Sequence, residues 1–181
     1  MKMLFVATTS TTAWAFVLPI AKYEREKGHQ VEFACSFEDF TDAPRRINEL
    51  QAAGFKVHEI PFVREINPQK DAKAFWRLRK LILDNQYDLV HTHTSKAGFI
   101  GRLSAFAAKC PTIIHTSHSF AFQMYDSGLK RQFFIFLEQI IAPLCDVILC
   151  VSEKIYQEAI NYNLKSKDKL ICVGQGIDIA P

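Results

Sequence analysis

Short uninterrupted apolar runs alternate along the whole chain with longer stretches whose apolar residues recur every three or four positions. The short runs are MLFVA (3–7), VEFACS (31–36), FKVHEI (55–60), DLVHT (88–92), TIIHTS (112–117), DVILCV (146–151) and LICV (170–173). The longer stretches cover about Ala13 to Lys27, Arg45–Ala53, Asp71–Asn85, Ser95–Lys109, Gly128–Leu144 and Ser152–Tyr162. The pattern predicts seven strands and six helices in strict alternation. Continuous apolar strands joined by helical crossovers imply a single α/β domain of the Rossmann-like kind. Its seven-stranded parallel sheet is expected to carry helices on both faces.

Punctuation supports this pattern. Gly28 and Gly54 each close a helical run and open a strand through a Gly-x-x-Val junction. A glycine suits a helix C-terminus because the chain there turns through a left-handed conformation. Pro19 fits near the first turn of its helix or at a kink. In the helix after DLVHT, Ala97, Gly101, Ala105 and Ala108 form a ridge of small residues that allows close packing on the sheet.

Composition narrows the class. The 181 residues are enough for one full core, and 49% of them are apolar. A formal net charge of +3 gives no reason to expect a nucleic-acid partner. Five cysteines without a CxxC pair read as free thiols, with Cys35, Cys150 and Cys172 in apolar strand-like runs. MKMLFVATTSTTAWA imitates a leader, but its apolar run is short and hydroxyl residues interrupt it. FFIFLEQIIAPLCDVILC is broken by Glu138, Gln139, Pro143 and Asp146, which makes it a poor membrane span. The expected location is cytoplasmic.

Parallel sheets bind ligands beyond the carboxyl ends of their strands. Four junctions fall there: TTSTT, HTHTSK, HSFAF and SEK. His91-x-His93 and His115-x-x-His118 supply imidazoles, but no carboxylate lies close in sequence to complete a metal site. No metal or other cofactor is therefore assigned. His115, inside an apolar run, also fits an ordinary buried histidine. Ser95 suits a helix N-cap, Lys96 a point charge, and Gly98 an unobstructed approach, so an anion could bind at that helix start; a plain cap and a solvated lysine fit equally well. Thr9, Ser10 and Thr11 sit in a hydroxyl-rich turn that could hold a phosphate, as in a flavodoxin-like flavin protein, or could simply cap the first helix. In KDAKAFWRLRKLILDN, Lys73, Arg77 and Lys80 share one side, with Phe75, Trp76, Leu78, Leu81 and Ile82 as apolar surface. Such a helix could lie on an anionic bilayer at the inner membrane face, although a helix with one face in the core is the commoner case.

The run DLVHTHTSKAGFIGRLSAFAAKCPTIIHTSHSFAF resembles the middle of the N-terminal domain of family-4 retaining glycosyltransferases with the GT-B fold, especially the capsule and exopolysaccharide types. LPIAKYEREKGHQV near the start and CVSEKIYQEAINY with KLICVGQGIDI near the end fit the same family, so the resemblance spans essentially the whole chain. It implies that residues 1–181 form the acceptor-side domain. The nucleotide-sugar-binding domain that follows in the family would be the missing partner, so the chain alone would be inactive. The implied acceptor is a saccharide, either free or lipid-linked. By position in the family's motifs, His118 is the expected catalytic residue. Thr9, Ser10, Thr11, His93, Ser95, Lys96, Ser119, Ser152 and Glu153 are expected to line the cleft and the acceptor pocket. A non-catalytic subunit of a split transferase is the remaining alternative.

Overall fold

The computed structural model describes residues 1–38 and 42–174, and the GQGIDI segment beyond Gly174 lies outside them. The strands are β1 (Lys2–Thr9), β2 (Gln30–Ser36), β3 (Lys56–Glu59), β4 (Leu89–His93), β5 (Thr112–Ser117), β6 (Val147–Cys150) and β7 (Leu170–Cys172). All neighbouring pairs are parallel, in the order β3-β2-β1-β4-β5-β6-β7. The helices are α1 (Ser10–Thr12), α2 (Leu18–Glu26), α3 (Ala43–Ala52), α4 (Pro68–Asn85), α5 (Ser95–Ala107), α6 (Leu129–Ile141) and α7 (Glu153–Asn161).

The expected elements are present, and Gly28 and Gly54 have the left-handed φ values of 86° and 84° that end a helix. The first helical run departs from expectation. It begins at Ser10, and a π-helical turn over Ala13–Val17 separates α1 from α2. Pro19 sits in the first turn of α2, where a missing N–H costs little.

Period-two alternation along β1 divides the interior into two cores. Leu4 and Val6 point to one face and pack with Ala74 and Leu78 of α4, Ala97 and Ile100 of α5, Ile135 of α6 and Ile155 of α7. Met3, Phe5 and Ala7 point to the other and pack with Ala13, Val17, Ala21 of α2 and Leu50 of α3. Both faces therefore carry helices, but unequally. The second set reaches only across β3, β2 and β1, so beyond β4 that face is less covered. Ile114 and Leu149 are half-buried there. Edge strand β7 leaves Ile171 45% exposed. The same edge position exposes Cys172, which its apolar run had suggested was buried.

On the fuller face the small-residue ridge does what its spacing predicts. A Cβ on Gly101 would come within 2.6 Å of Thr92 Cγ2. Beneath it lies an ion pair that no sequence pattern announced. Arg102, with no exposed surface, donates to Glu138 Oε2 at 2.9 Å and to the Gly98 carbonyl at 2.8 Å.

Candidate functional site

The sheet changes winding direction between β1 and β4, and a crevice is expected outside the carboxyl ends of these strands. Here the two ends are tied by hydroxyls. Thr8 Oγ1 donates to Thr94 Oγ1 at 2.6 Å, Thr94 donates to the His93 carbonyl, and Thr8 Oγ1 accepts the Ala97 N–H at 3.1 Å. Thr94, β-branched, is held at a φ of 66°, a conformation costing about 1–3 kcal/mol that the surrounding bonds must sustain.

This knot alters several expectations. TTSTT is not a loop, since β1 runs through Thr9 and α1 starts at Ser10. Thr9 caps α1 by accepting the Thr12 N–H at 3.1 Å, and Ser10 is fully buried. With Thr8 and Thr9 bonded internally, the hydroxyl run offers no flavin-phosphate loop. Thr11 Oγ1 is buried with no hydrogen-bond partner among the described residues. The N-cap of α5 is Thr94 rather than Ser95, and one of the helix's first N–H groups is already taken by Thr8. Ser95 instead donates to the Ser119 carbonyl at 3.2 Å. Lys96 is held by Asp71 at 2.7 Å and is not a free point charge. Gly98 makes room for His115, because a Cβ there would lie 2.5 Å from the imidazole Cε1. Ser152 caps α7 by accepting the Ile155 N–H at 3.4 Å, and exposed Glu153 accepts from Gln157 at 2.6 Å.

The histidines divide by face. Along β4, His91 and His93 point to the less covered side, and Thr92 points to α5, as strand alternation requires. His115 pairs in register with Thr92 and bonds its hydroxyl at 2.9 Å. On the opposite side the His91 and His93 rings lie 4.3 Å apart between centroids, tilted by 32°. His91 Nε2 bonds Thr116 Oγ1 at 2.7 Å, and His93 Nδ1 lies 3.3 Å from His118 Nε2. Phe5 flanks His93 at 5.9 Å, and Phe16 flanks His118 at 5.3 Å. Phe16 comes from the π-helical turn, a feature often found beside functional sites. Sequence reasoning missed Phe16 and Thr116. The alternation along β5 could have found Thr116, which shares its face with His118.

Burial pushes the His91 imidazole down to about 3, with His118 adding a smaller push. His93 is held well below the ordinary histidine range by burial, then by His91, His118 and His115. Both rings are thus neutral at neutral pH, and each offers one donor and one acceptor nitrogen. His93 Nε2 is buried without a partner among the described residues. The cluster borders a groove of about 660 Å³ between the Phe16–Glu24 stretch and strands β4 to β7, with Phe5, Phe16, Ile20, Tyr23, Ile114 and Leu149 on its walls. That volume falls within the ~300–1,000 Å³ of small-molecule sites, and the few polar groups among apolar walls suit a ligand with hydroxyls. Among the described residues no group of three or more His, Cys, Asp or Glu is arranged to hold a metal ion.

Residues 14–180 match the sequence model of Glycosyltransferase Family 4. The UDP-Gal:alpha-D-GlcNAc-diphosphoundecaprenol alpha-1,3-galactosyltransferase of Escherichia coli is 31% identical over 116 residues, covering 64% of this chain and 30% of that one. The capsular polysaccharide biosynthesis glycosyltransferase CapM of Staphylococcus aureus is 30% identical over 121 residues, covering 66% and 31%. Among solved structures, the UDP-GlcNAc 2-epimerase of Methanocaldococcus jannaschii superposes with a TM-score of 0.75 at 13% identity, over 97% of this chain and 47% of that one. The lipopolysaccharide outer core galactosyltransferase WaaB superposes with a TM-score of 0.70 at 14% identity, over 99% and 47%. The chain therefore spans about a third of these curated relatives and just under half of these structures.

Proposed function

The chain belongs to glycosyltransferase family 4, and from that premise we propose that it is the acceptor-side half of a retaining, GT-B-type transferase. The enzyme moves a sugar from a nucleotide-sugar to a lipid-linked saccharide during synthesis of a cell-surface polysaccharide. The relatives' roles in galactosyl transfer to a diphosphoundecaprenol acceptor and in capsule synthesis support the acceptor class. The donor nucleotide is held by a second domain, outside this chain.

The observation that carries the reading is the His93–His118 contact at 3.3 Å, at adjacent strand ends beside the groove. A neutral imidazole can hold a sugar hydroxyl through one nitrogen while the other is fixed by a neighbour. In this arrangement His93 fixes the His118 ring, and His118 orients the acceptor hydroxyl toward the anomeric carbon. His93 lies in the groove wall, with its Nε2 buried and without a partner among the described residues. The neighbouring His91 ring, bonded to Thr116, limits how far the His93 ring can rotate. The chemistry is mostly positioning, which converts binding into rate only when the contact strengthens in the transition state.

In the enzyme containing both domains, His118→Ala is expected to lower kcat/KM by about 10²-fold through kcat, as loss of a positioned polar contact does. His93→Ala is expected to act mainly on acceptor KM. Near-normal turnover by a well-folded His118→Ala enzyme overturns the assignment. The isolated domain is expected to transfer no sugar from UDP- or GDP-sugars, and robust turnover by it alone would overturn the half-enzyme reading.

A further inference from the structure

Two aromatic rings flank the histidines of the groove, and they differ in how much of their faces is left open. Phe5 is 2% exposed, its ring packed against Phe33, His91 and His93. Phe16 is 43% exposed and belongs to neither core. Its ring lies 5.3 Å from the His118 ring, tilted by 43°. The two make a corner, with an aromatic face on one side and an imidazole on the other.

The local sequence explains how Phe16 comes to stand there. Ala13, Val17 and Ala21 recur every four residues and are buried in the core shared with Met3, Phe5 and Ala7. Phe16, Ile20 and Tyr23 fall on another side of the same helical stretch and line the groove. Pro19 has no N–H for the Ala15 carbonyl, and in a regular α-helix its ring would crowd that carbonyl. The chain widens instead, and the Leu18 N–H bonds the Ala13 carbonyl five residues back. Phe16 is carried by that widened turn.

The groove's polar groups decide what the corner holds. His93, Thr116 and His118 lie at one end, with Phe16 against His118. Met3 and Leu89, paired in register, mark the other end, and the Glu24 carboxylate on the wall lies 3.6 Å from His29. A purely apolar ligand would leave the imidazole nitrogens unmatched, and a purely polar one would leave the Phe16 face unmatched. A pyranose matches both. Its ring hydrogens gather on a slightly positive face that meets the negative face of an aromatic ring, while its rim hydroxyls donate and accept.

We propose that Phe16 is the platform on which the acceptor's sugar ring stacks, with a rim hydroxyl turned to His118. The proposal rests on the reading of this groove as the acceptor site and deepens it. It narrows the acceptor here to a pyranose with one open C–H face, because a substituent over that face would hold the sugar off the ring.

The test is saturation-transfer NMR on the enzyme containing both domains. The probes are the methyl β-glycosides of glucose, galactose and N-acetylglucosamine, with octanol as a hydrocarbon control. Irradiating the aromatic protons is expected to saturate the hydrogens of one ring face of at least one glycoside more strongly than those of the other face. Phe16→Leu keeps an apolar side chain and removes the aromatic face. It is expected to weaken binding of that glycoside about 3- to 10-fold and to erase the preference between faces. Phe16→Trp is expected to keep both, and circular dichroism checks that each variant folds. The proposal falls if no glycoside takes up saturation, if folded Phe16→Leu binds as wild type does, or if Phe16→Trp binds no better than Phe16→Leu. It also falls if Phe16→Leu weakens octanol binding as much as glycoside binding, which would make the wall a hydrocarbon site. The platform is read by binding and the His118 role by turnover, so either can fail alone.

Discussion

His115 and His93 are neighbours across β4 and β5, equally deep, and on opposite faces of the same sheet. On the α5 side His115 is a finished contact. The Thr92 hydroxyl bonds its Nδ1, and Gly98 presses bare backbone against its ring. Only a glycine fits there. On the groove side His93 packs against His91 and is tied to His118, yet its Nε2 is left without a partner among the described residues. Burial drives both imidazoles toward neutrality, so burial and pKa do not distinguish them. What does is whether the surroundings have used up the polar atoms. A buried polar atom without a partner is costly and therefore informative, whereas a satisfied one is part of the packing.

The contrast can be broken from either side. The largest effect is expected behind His115, at Glu138→Ala, which strands the Arg102 guanidinium in the core. The expected loss is about 3–5 kcal/mol of folding stability, measured by urea denaturation. Next comes Gly98→Ala, which overpacks the His115 ring and is expected to cost about 1–3 kcal/mol. In a His115→Ala background that cost should largely vanish, and if it persists the Gly98–His115 contact is not the cause.

A smaller effect per step is expected from pH. His91, His93 and His115 have folded pKa values below the ordinary value of about 6.5, so above that pH both states are neutral and stability is flat. Below it the unfolded chain takes up protons that the folded chain refuses. Stability therefore falls with falling pH, by about 1.4 kcal/mol per pH unit for each such histidine. Denaturation at pH 7, 6 and 5 checks the slope and stays above the carboxylate range, where Glu32 would add its own acid-side loss. The mildest change is expected at His93→Phe, below about 1.5 kcal/mol, because it replaces an incompletely satisfied ring with an apolar one of similar shape. It should also remove one histidine's share of the pH slope, and an unchanged slope would mean that His93 titrates alike in both states.

The strands and helices were legible because each strand is a continuous apolar run and each helix a periodic one. The facing of His91 and His93 followed from alternation alone. What the sequence concealed was partnership over distance. Thr8 meets Thr94 and Lys96 meets Asp71 only after folding, and a hydroxyl run looks the same whether it caps a helix or holds a phosphate. The uneven covering of the sheet was also illegible. Leu149 and Ile171 are apolar whether or not a helix lies over them, so a buried strand and a half-bare one have the same composition.

The strand order has a consequence for how the chain is made. β1 can pair with β2 as soon as both have left the ribosome, but its other neighbour is β4, where Met3 meets Leu89 and Val6 meets Thr92. Until then β1, an interior strand of the finished sheet, is an edge, with a ladder of unpaired amides and an apolar sequence, MLFVA. Closing that gap requires a parallel pairing between distant segments, which is slow to form. A nascent chain that pauses before β4 therefore holds an aggregation-prone edge open, at a place that later becomes the interior of the sheet.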